Sequence, residues 1–305
     1  MTLFCEFFRS LKFFLTATLV VLFAFLFSSS VVFGWGFWAH KEVHRHAILA
    51  LPEGPRAFFQ HHADSIISRA IEPDVRRATD SAETYFHYID IDRYGKYPFT
   101  ELPRDYDAAV KKFGKAYVDT TGTAAWRIAD FTAKLSDAMK RDDAEAIQYY
   151  ASNLGHYIAD INVPLHSTVN YNGQFTNQLG IHSRWESRLP EKYGMTYKLS
   201  GNKAEYIQDP LAKAFDILLE SFLFVDKVLS KDIEARKEIP EEKLYTFIQR
   251  DTVQVRVFSD AYYELYNKKM DGMVEARMNE SIRWVASYWY TAWVNAGKPK
   301  LTLRL

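Results

Sequence analysis

The chain has 305 residues, and its 38 Lys and Arg balance 38 Asp and Glu, so the formal net charge is zero. That balance excludes a global basic field able to hold nucleic acid by charge alone, and leaves only a local grip on such a polymer. Aromatic residues make up 16% of the chain, which suits a dense helical core or stacking platforms.

The first 34 residues differ from the rest. Arg9 and Lys12 precede an apolar run from Phe13 to Phe27, and Ser28, Ser29 and Ser30 follow before Gly34. A basic head, an apolar stretch of about 15 residues and a small closing residue read as a secretory signal over residues 1–34. The mature protein is then expected to be secreted or periplasmic. The rival reading is an uncleaved anchor, because the apolar stretch can be extended through Phe33 to about the length of a span. Cys5, the only cysteine, lies in this segment. Its removal leaves no thiol for a disulfide or a thiolate metal site.

From Trp35 onward the pattern is helical. Apolar residues recur at spacings of three and four over 37–50, 105–119, 123–140, 143–160, 204–230 and 251–294. Ala125, Ile128, Ala129, Leu135 and Met139 form one such stripe, and Gly297 and Pro299 close the last helix. Residues 92–104, with Gly95, Pro98 and Pro103, and the Asn/Gln/Gly-rich stretch 167–180 read as loops. No alternating strand pattern stands out. The expected architecture is all-α, a single helical domain over residues 35–305.

Nine histidines are present. A lone histidine is usually structural or exposed, so spacing carries the argument. His156 and Asp160 are four apart on one predicted helix and project from one face. His182 and Glu186 repeat the spacing, and His166 lies between the pairs, just after Pro164. His87 in "YFHYIDID" and Asp74 in "EPDVRR" are further candidates. Either pair alone is adequately explained as a surface helix contact worth a few tenths of a kcal/mol. Both pairs with His166 between them are not. The donors are imidazole and carboxylate only, a set that suits zinc, and they exceed the four that one tetrahedral ion needs, so a cluster is expected. His44 shares a face with His40 and reads as a poor ligand candidate; His61 and His62 read as polar surface.

The motifs "WGFWAH", "DVRR", "HYID", "HYIADINVPLH" and "HSRWE" resemble, in order, those of the superfamily of zinc-dependent phospholipases C and P-one/S-one type nucleases. The likeness spans the chain from Trp35 onward. It implies an all-α protein with three zinc ions in a cleft. One ion would take Asp74, His87, His156 and Asp160. A second would take His166, His182 and Glu186. The third would take His40, Asp160 as a bridge, and Trp35 through its amino group and carbonyl, which requires cleavage after Gly34.

The resemblance also implies roles beyond the metals. Arg77 would neutralise the scissile phosphate, and Asp160 would support the bridged ions as the second catalytic residue. Tyr88 would stack on a base and Asp90 would read its edge. The Trp35–His40 spacing and Arg77 favour the nuclease branch, with single-stranded nucleic acid or nucleotide as substrate. Glu186 is the phospholipase choice, so a phospholipase C acting on phospholipid head groups is the alternative. A third reading is a non-catalytic helical zinc protein held at a membrane by an uncleaved first segment. No obligate protein partner is expected.

Overall fold

The computed structural model describes residues 35–303 apart from Asp251. The expected signal segment, residues 1–34, and Cys5 lie outside the described residues. The fold is all-α, with helices in nearly every position the apolar stripes indicate. Helix α1 (Phe37–Ala50) buries Ala39, His40, Val43, His44, Ala47 and Ile48, a stripe at three- and four-residue spacing. It ends at Leu51, whose extended backbone is the conformation favoured before Pro52. Short helices α2 (Glu53–His61), α3 (Ala63–Arg69) and α4 (Glu72–Arg76) follow, the last with Pro73 in its first turn, where a missing N–H costs nothing.

The 105–119 stripe is two helices, α5 (Tyr106–Phe113) and α6 (Lys115–Thr121), because Gly114 between them adopts φ 86°. Helices α7 (Ala124–Lys140) and α8 (Ala144–Ile161) match their stripes closely. Asp143 caps α8 by accepting a hydrogen bond from the Ala146 amide at 3.1 Å. The 204–230 stripe also divides, into α9 (Pro210–Phe222), capped by Asp209, and α10 (Val225–Glu238).

The helix expected from residue 251 begins only with α11 (Asp260–Met270), followed by α12 (Met273–Asn295). Before it stands an antiparallel hairpin, β1 (Tyr245–Arg250) and β2 (Val253–Phe258), pairing Tyr245 with Phe258 and Ile248 with Val255. This corrects the expectation that no strand is present. Val253, Val255 and Val257 alternate with Gln254 and Arg256, a period of two rich in β-branched residues. No helix among the described residues is long and apolar enough to cross a membrane.

Helix α8 is the centre of the domain. Every residue from Ala151 to Ile161 is buried, under α1, α3, α7, α9 and α12. A helix enclosed on all sides has no solvent face for polar groups, so each polar side chain on it needs a partner. Trp289 of α12 donates its indole N–H to the Ala151 carbonyl at 2.9 Å. His44 of α1 has its Nδ1 2.8 Å from the His40 carbonyl and its Nε2 2.9 Å from the Ser152 carbonyl, so both ring nitrogens face backbone, as in a structural histidine. His62 is not surface as expected: it is buried, with its ring 4.4 Å from that of Phe58. His61 is exposed.

His44 can enter the α1–α8 seam because residue 155 is glycine. A Cβ there would lie 2.4 Å from His44 Nε2. Alanine would gain about 1 kcal/mol of helix propensity, but overpacking a tight seam typically costs about 1–3 kcal/mol. With a net cost of about 1 kcal/mol, Gly155→Ala should lower Tm by about 2 °C, and by up to about 4 °C, for a domain of this size. In a His44→Ala background the same change should be neutral or stabilising. Wild-type Tm for the single variant, measured by calorimetry, would contradict this packing.

Candidate metal centre

Six elements meet at the C-terminal half of α8. That helix supplies His156 and Asp160 from one face. Helix α1 supplies His40 and α4 supplies Asp74. His87 follows a 3-10 turn over Ser81–Phe86, and His166 lies in another over Pro164–Ser167, started by Pro164. His182 and Glu186 stand on consecutive helical turns, Ile181–Ser183 and the π-type Arg184–Arg188. All eight side chains are buried, His40, His156, Asp160 and Glu186 completely.

Asp160 is the hub. Its Oδ1 lies 3.3 Å from His40 Nε2, and its Oδ2 lies 2.9 Å from His87 Nδ1 and 3.2 Å from His156 Nε2. Asp74 Oδ1 stands 3.7 Å from His87 Nδ1 and 4.0 Å from His156 Nε2. On the other flank, Glu186 Oε2 is 2.7 Å from His182 Nε2 and 3.4 Å from His166 Nε2. His166 Nδ1 lies 4.0 Å from Asp160 Oδ2, so the two flanks are close neighbours.

Three sets of donors converge tightly enough to hold metal ions: His40, Asp74 and His156; His87, His156 and Asp160; and His166, His182 and Glu186. Within each set the donor atoms lie within 4.8 Å of one another. The residues fit such ions on two further grounds. His40 Nε2, Asp160 Oδ1, His166 Nε2, His182 Nε2 and both Glu186 oxygens are buried without a hydrogen bond, and leaving such groups unmet is costly. The ring nitrogens His87 Nδ1 and His156 Nε2 also face each other at 3.0 Å, a placement that a shared cation makes favourable.

Outer hydrogen bonds set the orientation of the rings. His156 Nδ1 contacts the Ala70 carbonyl at 2.8 Å and His166 Nδ1 the His87 carbonyl at 2.7 Å. Each Nδ1 thus carries a proton, and each Nε2 offers its lone pair to the centre.

The protonation pattern of the metal-free protein is uneven. Burial pushes His40 down to about 4, with the His156 charge adding to the effect. Burial likewise lowers His182 far below the usual imidazole range. Burial also opposes charge on His87, yet its hydrogen bond to Asp160 and the nearby Glu83 carboxylate carry it up to about 9. Asp160 is held well below the carboxylate range by its histidines despite burial, whereas burial and the Asp160 charge push Glu186 well above it. The raised pKa values of His87 and Glu186 couple cation binding at the centre to release of protons.

The other expected residues flank the centre. Arg77 Nη1 lies 3.5 Å from Asp74 Oδ1, and its charge is felt by His182 and Glu186. Tyr88 is half-buried, with its hydroxyl 3.5 Å from the Thr120 carbonyl. Asp90 is buried beside Arg93 at 3.4 Å, and burial with the Asp92 charge raises it to about 7. Trp35 is fully buried and donates its indole N–H to the Ala159 carbonyl at 2.8 Å, which brings the start of the described chain against α8 next to Asp160.

Two neighbours were not anticipated. Tyr171 places its ring 5.7 Å from His182. Glu83 lies 3.7 Å from His87 Nε2; it is four residues before His87, the same spacing that marked the other two pairs. No family model matches the chain, and no curated protein matches it.

Because Asp160 touches donors of two sets and Glu186 of one, the two carboxylates should differ in a countable way. Asp160→Asn should lower the metal bound per chain by more than one ion, and Glu186→Gln by one. Elemental analysis of protein purified without chelator reads this directly. Equal single-ion losses would contradict the hub.

Proposed function

We propose that the protein is a zinc-dependent phosphodiesterase that cleaves single-stranded nucleic acid. The observation that carries this reading is the buried hub at Asp160, with donors near both of its oxygens, and Arg77 beside the neighbouring donor Asp74. Asp74, His87, His156 and Asp160 would hold one zinc; His166, His182 and Glu186 a second; and His40, Asp160 and the amino group and carbonyl of Trp35 a third. Bound zinc supplies Lewis acidity toward phosphoryl oxygens and acidifies water toward neutral pH. The protein would act outside the cytoplasm, after removal of residues 1–34.

The chain's own residues then bind and orient the substrate. The Arg77 guanidinium offsets charge on the phosphoryl oxygens, a form of stabilisation that is strong where water is excluded. Tyr88, next in sequence to His87, offers a ring on which a base can stack. Asp90, with its carboxyl near half-protonation at neutral pH, can either accept a hydrogen bond from a base edge or donate one. Duplex DNA keeps its bases stacked away from such a ring, so single strands are the preferred form.

One observation favours a second reading. The segment between His166 and His182 exposes Tyr171, Phe175 and Leu179 to solvent. Apolar side chains beside a phosphodiester site would suit a phospholipase C working at a lipid surface.

The test is a side-by-side assay on single-stranded DNA, RNA, phosphatidylcholine and a small phosphodiester that carries no base. The nucleic acids should be cleaved and phosphatidylcholine barely touched. Tyr88→Ala should raise KM for single-stranded DNA roughly tenfold, as loss of one stacked base implies, and leave the small diester unchanged. Rapid turnover of phosphatidylcholine alone would move the assignment to the lipase. No turnover of any substrate by zinc-loaded protein would leave a non-catalytic zinc protein.

A further inference from the structure

We propose that Glu83 is a positioning residue for the metal centre: it fixes His87 with a proton on Nε2 and the Nδ1 lone pair aimed at the metal. The inference rests on the reading that the centre binds zinc.

The two nitrogens of His87 look in opposite directions. Nδ1 faces the centre, 2.9 Å from Asp160 Oδ2, 3.0 Å from His156 Nε2 and 3.7 Å from Asp74 Oδ1. Nε2 faces away, is buried and makes no hydrogen bond, and Glu83 Oε1 lies 3.7 Å from it. That distance is too long for a hydrogen bond and short enough for a small shift of the ring to close it. His87 is thus turned the opposite way from His156 and His166, which present Nε2 and give Nδ1 to a backbone carbonyl.

Glu83 is itself held firmly. It is 4% exposed. Arg76 reaches it through Nε at 3.2 Å and Nη2 at 3.3 Å, and the Tyr157 hydroxyl donates to its Oε1. Arg76 is anchored in turn on Asn153 of α8 at 2.5 Å. The carboxylate therefore cannot swing away from His87 without breaking a part-buried ion pair and the Tyr157 hydrogen bond. A carboxylate behind a ligating histidine does two things that a carbonyl does less well. It selects the tautomer, and it makes the imidazole a stronger donor. The bland alternative is that Glu83 serves only as the partner of Arg76.

Zinc titration against a chromophoric competitor separates the two. In Glu83→Gln, one of the stepwise dissociation constants should rise about 10–100-fold, the usual cost of losing such a partner, with the others unchanged. Arg76→Met removes the ion pair but spares the carboxylate and its Tyr157 hydrogen bond, so it should lower Tm and raise that same zinc constant clearly less than Glu83→Gln does. Long-range 1H–15N spectra of the zinc-loaded wild type give a reading independent of any variant: His87 should carry its proton on Nε2. Unchanged zinc constants in Glu83→Gln, the same one-ion loss in Arg76→Met, or a proton on His87 Nδ1 would each overturn the proposal. A wild type that takes up no zinc would sink the metal reading itself, whereas a wild type that binds zinc alongside an indifferent Glu83→Gln removes only this inference.

Discussion

A carboxylate buried completely, with three imidazole nitrogens within 3.3 Å of its oxygens, is the constraint around which the rest of the molecule is arranged. Taking Asp160 out of water is expensive unless positive charge meets it. In the metal-free protein that charge can come only from protons on the surrounding histidines. His87 carries one, while burial denies charge to His40 and His182. Burial and the Asp160 charge push Glu186 well above the carboxylate range. Divalent ions would relieve both strains at once, and this is the physical reason to read the cluster as a metal centre rather than a buried polar network.

The fold serves that hub. Helix α8 must be buried to exclude water from Asp160, so other helices cover its remaining faces. Gly155 allows α1 to close in and bring His40 to Asp160. Ser221 on α9 donates to the Ile161 carbonyl at 2.6 Å. Arg277 on α12 bonds the Asn162 carbonyl at 3.0 Å and the Asn162 side chain at 2.8 Å. These contacts satisfy the C-terminal end of α8, whose last carbonyls would otherwise stand unmet, and hold the turn that leads to His166. A second buried network, in which Arg184 meets Asp232 at 3.2 Å and Gln178 meets it at 2.7 Å, fixes the turn that carries His182 and Glu186.

Much of this could be read before any coordinates. The stripes of α1, α7 and α8 give their bounds almost to the residue, because long amphipathic or enclosed helices impose their period on the sequence. His156 with Asp160 and His182 with Glu186 were legible for the same reason: four-residue spacing is local. What sequence spacing alone did not carry was long-range. Spacing does not say that His40 and Asp160 meet; the resemblance alone implied it, and packing brings them to 3.3 Å. The stripe over 251–294 takes in the second strand of the hairpin, Val253–Phe258, although its valines alternate, because the helix that follows has the stronger pattern. His61 and His62 both read as polar surface, but only His61 is exposed, because His62 turns inward onto Phe58. Glu83 was passed over although its spacing from His87 repeats the pattern used twice elsewhere, since a carboxylate behind a histidine is visible only when the direction of each ring nitrogen is known.

The central claim is that metal ions, rather than protons, balance the buried carboxylates. Anomalous diffraction at the zinc edge, from crystals of protein purified without chelator, tests it most directly. The account expects strong peaks inside the cluster: one beside His166, His182 and Glu186, and others on the two sides of Asp160 toward His40 and His87. A map with no peak in the cluster, or with zinc only at exposed histidines such as His61, would contradict it.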